Sequence, residues 1–230
     1  SYLMKFLDIV NKFQAKIHRH REHVWAKKDA LSLRSANKIL FLDLGSNIGQ
    51  GYSWFKQYYK YPNTKFELFE PNPFCCNELK KLPEVKSGKV TLKNYGVGIS
   101  SGTYNLYGLD SSEGGKLAQG GSIVKEHNSD LYKVLEDKAI KVNVINFSKY
   151  LINKADKYEK IIVKMDIEGA EVDLLEHLIK EGTIDYINIL YVEFHSQYQK
   201  LPQAKITLNR ESKILDLLYK NHNLKVRIWH

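Results

Sequence analysis

Short apolar runs that end in an acidic residue recur along this chain, and a stretch with helical periodicity follows each of them. The clearest runs are Lys38–Asp43, Phe66–Glu70 and Lys160–Asp166. Their nearly continuous apolar character is expected of strands that are buried on both faces of a parallel sheet. Strands that alternate with helices form right-handed βαβ units. The sequence therefore predicts an α/β fold with a doubly wound, mostly parallel sheet.

The remaining segments continue this alternation. Further strands are predicted at 89–94, 103–107, 142–145, 187–194 and 224–229, and helices at 48–60, 71–81, 147–152, 170–180 and 211–220. Residues 108–122 carry five glycines and few apolar side chains. We expect this stretch to be a loop over the site, because unstructured segments of this length in compact domains are often functional.

The first 36 residues have a different charge balance and are predicted to form a helical extension. Apolar residues recur at steps of three and four from Leu3 to Ile17, which is the spacing of one helix face. Nine Lys and Arg stand against three Asp and Glu up to residue 38, within a chain of net charge +9. A helix face exposed to solvent accounts for this excess of positive charge, so the sequence gives no strong indication of nucleic-acid binding. The predicted organisation is an extension at 1–36 and one domain at 37–230.

The composition excludes several classes of protein. No apolar run approaches the ~18 residues that span a bilayer, and the first residues do not resemble a signal peptide. Cys75 and Cys76 are adjacent, so neither a disulfide framework nor zinc spacing is present. These features predict a cytoplasmic protein. The chain begins at Ser1, which is compatible with a processed product or a domain of a longer polypeptide, and its oligomeric state stays open.

A glycine-rich turn after the first strand has the composition of a ligand-binding loop. Its polar and glycine positions are Asp43, Gly45, Ser46, Asn47 and Gly49. Ligands of open α/β sheets bind beyond the carboxyl ends of strands, and glycine lets a ligand approach the backbone closely. The turn matches neither GxGxxG nor GxxxxGK[ST], so the sequence disfavours a phosphate ligand.

A carboxylate closes the second strand, where Glu70 follows Asp43 by 27 residues and precedes Pro71. A carboxylate at this place can accept hydrogen bonds from both ribose hydroxyls of an adenosine-type ligand. An adenosine without phosphates agrees with the composition of the first turn. Glu70 and Pro71 are therefore candidate contacts of a nucleoside.

A third motif, VKMDIEGAE at 163–171, points to a narrower family. Together with LFEPNP at 68–73 and YVEFH at 191–195, it closely resembles the signature of FkbM-type methyltransferases over residues 38–196, while the glycine-rich turn resembles the DxGxxxG motif of class I enzymes. The resemblance implies a Rossmann-like fold and S-adenosylmethionine-dependent O-methyl transfer. It also implies that the turn wraps the methionine part of the cofactor and that the region around Gly96 lines the adenine pocket.

The polar residues at the carboxyl ends of the strands predicted at 160–166 and 187–194 are the candidate catalytic groups. Asp166, Glu168 and His195 are predicted to act on the acceptor, with His195 as a base near neutral pH. Asp166 is also a candidate cofactor contact, because it ends a central strand beside the cofactor crevice. Alternatively, Asp166, Glu193 and His195 ligate a divalent cation. Glu171 is expected to stabilise the start of the following helix through the helix dipole. The sequence leaves the base and the metal hypotheses open.

The acceptor is predicted from the resemblance and from side-chain chemistry. FkbM-like enzymes act on small natural products, sugars and glycans, and Tyr95, Tyr191 and Tyr198 offer aromatic surfaces for a sugar ring, so we expect a sugar or glycan acceptor. The alternatives are an RNA or protein methyltransferase that uses the basic helix, or a non-catalytic nucleoside-binding scaffold. An NPPY-like tetrad, typical of amino-group methyltransferases, is absent after the strand at 160–166.

One departure concerns the C-terminal end. Class I methyltransferases usually end in an antiparallel hairpin, whereas only one clear strand, 224–229, is predicted here. Residues Ile206–Leu208 are the alternative position for a second strand.

Overall fold

The structure is a computed structural model that describes residues 2–109, 121–124 and 139–229. The strands in chain order are β1 (Ile39–Leu44), β2 (Thr64–Phe69), β3 (Val90–Lys93), β4 (Gly96–Gly98), β5 (Gly102–Leu106), β6 (Ile140–Asn146), β7 (Lys160–Met165), β8 (Ile189–Val192) and β9 (Lys225–Ile228). The helices are α1 (Tyr2–Ser32), α2 (Gln50–Phe55), α3 (Pro73–Leu79), α4 (Pro83–Lys86), α5 (Phe147–Ala155), α6 (Glu171–Lys180) and α7 (Gln203–Lys220), with 3-10 turns at Thr183–Tyr186 and Ser196–Tyr198.

A six-stranded parallel sheet in the order β3-β2-β1-β7-β8-β9 positions the site. Every residue of β1 is buried, which explains its continuous apolar sequence. Leu40 and Leu42 pack on one face in a cluster with α5, α6 and α7, whereas Ile39 and Phe41 pack on the other face with α1 and α2. Helices therefore cover both faces, and the predicted doubly wound α/β fold is confirmed.

A second, three-stranded sheet lies between β3 and β7 in the chain, in the order β4-β6-β5. The strands predicted at 103–107 and 142–145 belong to this sheet, where they pair antiparallel. A bridge between Tyr107 and Ser122 brings the two ends of the predicted glycine-rich loop together. Most of that loop, 110–120, lies outside the described residues, so its predicted role over the site stays a prediction.

The predicted N-terminal helix is present, and its second half packs on the sheet. Ala26 and Ala30 are buried in the apolar cluster that also contains Ile39 and Phe41. Asp29 is fully buried and accepts hydrogen bonds from the Tyr191 hydroxyl and the Arg227 guanidinium. The division into an extension at 1–36 and a domain at 37–230 stays a prediction. Among the helices described, none has both the length and the apolar character needed to cross a membrane.

The C-terminal end differs from the class I expectation. Ile206–Leu208 belong to α7, which begins after Pro202 and buries Thr207 against Gln199 through a hydrogen bond. Because the buried residue Thr207 is polar, the apolar pattern did not indicate the first two turns of α7. β9 pairs parallel to β8, and no antiparallel strand joins it within the part of the chain that the structure describes.

Candidate active site

A cavity of about 510 Å³ opens where β1, β2, β7 and β8 end. Sites of this kind are expected beyond the carboxyl ends of the strands in an open α/β sheet. The predicted site residues that line it are Gly45, Ser46, Asn47, Glu70, Pro71, Gly96, Asp166, Glu168, Glu193 and His195. The structure thus brings the candidate cofactor and catalytic residues to one cavity, and it leaves Asp43 and Gly49 behind the cavity wall.

The glycine-rich turn between β1 and α2 has a backbone that few other residues can adopt. Gly45, Asn47 and Gly49 all have positive φ, at 78°, 48° and 97°. A Cβ on Gly45 would lie 1.8 Å from the carbonyl oxygen of Asp166. The backbone N–H groups of Gly45 and Ser46 both donate to Phe69 at 3.0 Å. The turn is therefore held tightly between the ends of β2 and β7.

A buried lysine that the sequence analysis missed lies beneath this turn. Lys164 Nζ is 3.2 Å from Asp43 Oδ1 and 3.3 Å from Asp166 Oδ2, and it donates to the Gly45 carbonyl at 3.0 Å. Burial lowers the pKa of Lys164, but the two carboxylates outweigh burial and hold this pKa above its ordinary value. Asp43 thus supports the turn through Lys164. A lysine inside the apolar strand KIIVKMD was the available signal.

Glu70 presents a fixed carboxylate at the end of β2. Its Oε2 accepts the backbone N–H of Asn47 at 2.7 Å, and its Oε1 accepts that of Asn72 at 2.8 Å. The side chain lines the cavity while the residue is only 6% exposed. Burial raises the pKa of Glu70 to about 7, against the lowering effect of the two backbone donors. The carboxylate is therefore oriented before any ligand arrives.

His195 lies after β8 among four carboxylates. Its Nδ1 is 2.9 Å from Glu171 Oε1, whereas its Nε2 is 3.6 Å from Asp166, 3.5 Å from Glu168 and 3.9 Å from Glu193. Glu171 does more than stabilise the start of α6. It is fully buried, accepts the backbone N–H groups before α6, and fixes the orientation of the imidazole.

The charge state of His195 does not favour the base hypothesis. Burial lowers its pKa, but the hydrogen bond with Glu171 and the charges of Glu171, Glu168 and Asp166 raise it to about 10. A cationic imidazole cannot accept a proton. Burial and the neighbouring carboxylates, Asp166 first, also raise the pKa of Glu193 to about 7, against the opposing effect of His195.

The geometry bears on the metal hypothesis as well. Asp166, Glu168 and His195 each offer one ligand atom, and these three atoms lie within 4.8 Å of one another. The predicted metal set was Asp166, Glu193 and His195, whereas the structure groups Glu168 with Asp166 and His195. Glu168 is the nearer carboxylate to His195 Nε2, because the turn after β7 folds back towards the end of β8.

Other cavity residues were not found from the sequence. Arg19 and Glu22 of α1 and the indole side chains of Trp54 and Trp229 line the cavity. No local motif marked these residues, because they come from distant parts of the chain. Of the three tyrosines expected to stack on a sugar, Tyr198 lines the cavity.

The other two tyrosines pack elsewhere. Tyr191 points to the opposite face of β8, where its hydroxyl meets Asp29 and Tyr59, so its predicted stacking role is wrong. Tyr95 packs edge-on against Phe69, beside the apolar cluster that contains Leu40 and Leu42, and is not among the cavity residues. Strand alternation placed Tyr191 on the face covered by α1 and α2.

The chain matches the model of the methyltransferase FkbM domain over residues 43–222, more than three quarters of its length. It belongs to the FkbM methyltransferase family. The predicted family is thereby confirmed. The three motifs that predicted the family all lie within the matched range.

A similar solved structure is that of methyltransferase FkbM from Methylobacillus flagellatus KT, with 15% identity and a TM-score of 0.43. The alignment covers 78% of this chain and 37% of that one, so the chain spans little more than a third of that protein. No curated protein matches the chain.

Proposed function

We propose that this FkbM-family methyltransferase takes its methyl group from S-adenosylmethionine and transfers it to a hydroxyl of a sugar, in a glycan or a glycosylated small molecule. The observation that carries the proposal is the carboxylate of Glu70. It faces the cavity at the end of β2 and is held by the backbone of Asn47 and Asn72. Two vicinal ribose hydroxyls are the donors that such a carboxylate suits.

The residues present fit this cofactor. The cavity has a volume within the ~300–1,000 Å³ range of small-molecule sites. Gly45 and Asn47 bring main chain to its wall beside Glu70, and Pro71 and Gly96 border the same end. When bound, S-adenosylmethionine supplies a methyl group on a positively charged sulfur. Carboxylates around the cavity favour that charge.

The opposite end of the cavity supports a hydroxyl-bearing, uncharged acceptor. Asp166, Glu168 and Glu193 give this end a negative charge, which disfavours the phosphates of RNA. Trp54, Trp229 and Tyr198 add aromatic surface to the wall. Aromatic faces combined with hydrogen-bonding carboxylates are suited to a sugar ring with several hydroxyls.

Asp166 is the proposed group that orients the acceptor hydroxyl and accepts its proton. It follows β7 at the centre of the sheet, and it lines the cavity between Gly45 and His195. The hydroxyl oxygen forms the new bond to the methyl carbon as the bond from carbon to sulfur breaks, and the proton passes to the carboxylate. Glu168 holds a neighbouring polar group of the acceptor.

The test is methyl transfer from isotopically labelled S-adenosylmethionine to three acceptor sets: neutral oligosaccharides and glycosides, RNA, and unfolded protein. We expect label in the carbohydrate set as a base-stable ether, and loss of transfer in Asp166→Asn with cofactor binding retained. Label found only in RNA or protein would overturn the acceptor class. Cofactor binding without transfer to any set would favour the scaffold alternative.

A further inference from the structure

We propose that Asp166, Glu168 and His195 bind one divalent cation, and that Glu171 positions His195 for this role. The site lies at the end of the cavity away from Glu70, where β7 and β8 end. It combines two carboxylates with an imidazole, a donor set that suits Mn²⁺, Fe²⁺, Zn²⁺ or Mg²⁺.

The spacing of the ligand atoms is the first argument. His195 Nε2 lies 3.6 Å from Asp166 Oδ1 and 3.5 Å from Glu168 Oε2. These distances are longer than hydrogen bonds of good geometry. Metal–ligand bonds of about 2.0–2.2 Å place neighbouring ligands roughly 3 to 4 Å apart. A single ion can therefore bridge the three atoms with only small side-chain movements.

The orientation of His195 is a second, independent argument. Glu171 accepts a hydrogen bond from Nδ1 at 2.9 Å, and both residues are buried, at 0% and 4% exposure. Glu171 is itself fixed by the backbone N–H groups of Ile167 and Gly169. A carboxylate that holds one ring nitrogen and turns the other towards a metal is the usual outer shell of a histidine ligand.

Charge and access support the same assignment. Four carboxylates lie within 4.0 Å of the imidazole nitrogens, and Lys164 offsets the charge of Asp166 on its far side. Asp166 and Glu168 retain side-chain exposure of 25% and 14% towards the cavity. An ion can enter from the cavity, replace the proton on His195 Nε2, which is released to solvent, and keep coordination positions for water. A role in binding the acceptor hydroxyl rests on the proposed function, whereas cation binding itself does not.

The experiment measures Mn²⁺ binding to the full chain after chelator treatment, without S-adenosylmethionine or acceptor, by calorimetry and pulsed electron paramagnetic resonance. We expect one Mn²⁺ per chain with a ¹⁴N coupling from an imidazole. Glu168→Gln should weaken Mn²⁺ binding at least tenfold, and His195→Gln should remove the ¹⁴N coupling. Glu171→Gln should weaken binding by roughly 10–100-fold while S-adenosylhomocysteine binding stays unchanged.

Glu181→Gln is the matched control, because this exposed carboxylate lies at the opposite end of α6. It should bind Mn²⁺ as the wild type does. Absence of saturable Mn²⁺ binding, or equal affinity in Glu168→Gln and wild type, would overturn the proposal. Neither result depends on methyl transfer, so a failure of the metal site is distinguishable from a failure of the proposed function.

Discussion

The two ends of the cavity are built in different ways. At the glycine-turn end, formed by Gly45, Asn47 and Glu70, main-chain groups fix both the turn and the carboxylate. At the His195 end, formed by Asp166, Glu168, Glu171, Glu193 and His195, charged side chains surround one imidazole. The first end is suited to a ligand that binds in one fixed position, such as a cofactor. The second end has polar groups that can exchange partners, as an acceptor or a cation requires.

Lys164 joins the two ends, and its removal should give the largest effect. Lys164→Met leaves Asp43 and Asp166 without their shared cation. Breaking a buried ion pair in this way costs about 3–5 kcal/mol, so we expect a loss of that size in the free energy of unfolding, measured with urea. Lys81→Met, which breaks the exposed pair with Glu78, is the control and should cost about 0–1 kcal/mol. Similar losses in both variants would show that the ion pairs of Lys164 with Asp43 and Asp166 are not needed for stability.

The glycine-turn end can be broken by one methyl group. Gly45→Ala places a Cβ against the Asp166 carbonyl and forces alanine into a left-handed backbone, so we expect a loss of about 2–4 kcal/mol in stability. S-adenosylhomocysteine affinity should fall by roughly 100-fold, measured by calorimetry below the unfolding temperature.

Gly88→Ala is the matched control for this change. Its φ of 74° is nearly the same, but no atom lies within 4 Å of the added Cβ. It should cost only the left-handed penalty of about 1–2 kcal/mol and leave cofactor affinity unchanged. Equal behaviour of the Gly45 and Gly88 variants would contradict the close fit of the turn against β7.

The pH dependence of cofactor binding sharpens the comparison further. The pKa of Glu70 is raised to about 7, from an ordinary value of 4.5, so the folded, ligand-free protein keeps this proton as pH rises through that window. The stabilising contribution of the group is present below pH 4.5 and is lost as pH rises to about 7. Ribose hydroxyls favour the ionised form, so binding should release a proton.

We therefore expect S-adenosylhomocysteine affinity to fall about tenfold from pH 8 to pH 6 in the wild type. In Glu70→Gln the affinity should be flat over this range, and no proton should be released in buffers of different ionisation enthalpy. A pH profile that Glu70→Gln leaves unchanged would assign the titration to the other end of the cavity.

The glycine-turn end could be predicted because its information is local. Gly45 and Gly49 follow β1, and Glu70 follows β2. Because β1 and β2 are neighbouring parallel strands, the residues at their carboxyl ends lie close together. The same reasoning predicted the sheet and the helices on both faces. The start of α7 was predicted at residue 211, although the helix begins at Gln203, because buried Thr207 interrupts the apolar pattern.

The His195 end could be predicted only as a set of candidates. The contact of His195 with Glu171 joins residues 24 positions apart, and its geometry depends on the turn between β7 and α6. The contributions of Arg19 and Glu22 depend on how α1 packs, which no motif encodes. The position of Tyr191, in contrast, could have been predicted. Side chains alternate along β8, so Tyr191 lies on the other face of the sheet from Leu190 and Val192.

The central claim is that the carboxylate of Glu70 and the glycine turn bind the cofactor. Its most direct test is calorimetric titration of the wild type and Glu70→Gln with S-adenosylhomocysteine at pH 8. The account predicts saturable binding by the wild type that weakens by about 1–3 kcal/mol in the variant, the cost of losing hydrogen bonds to a charged group. Absence of binding by the wild type, or equal affinity in both proteins, would contradict it.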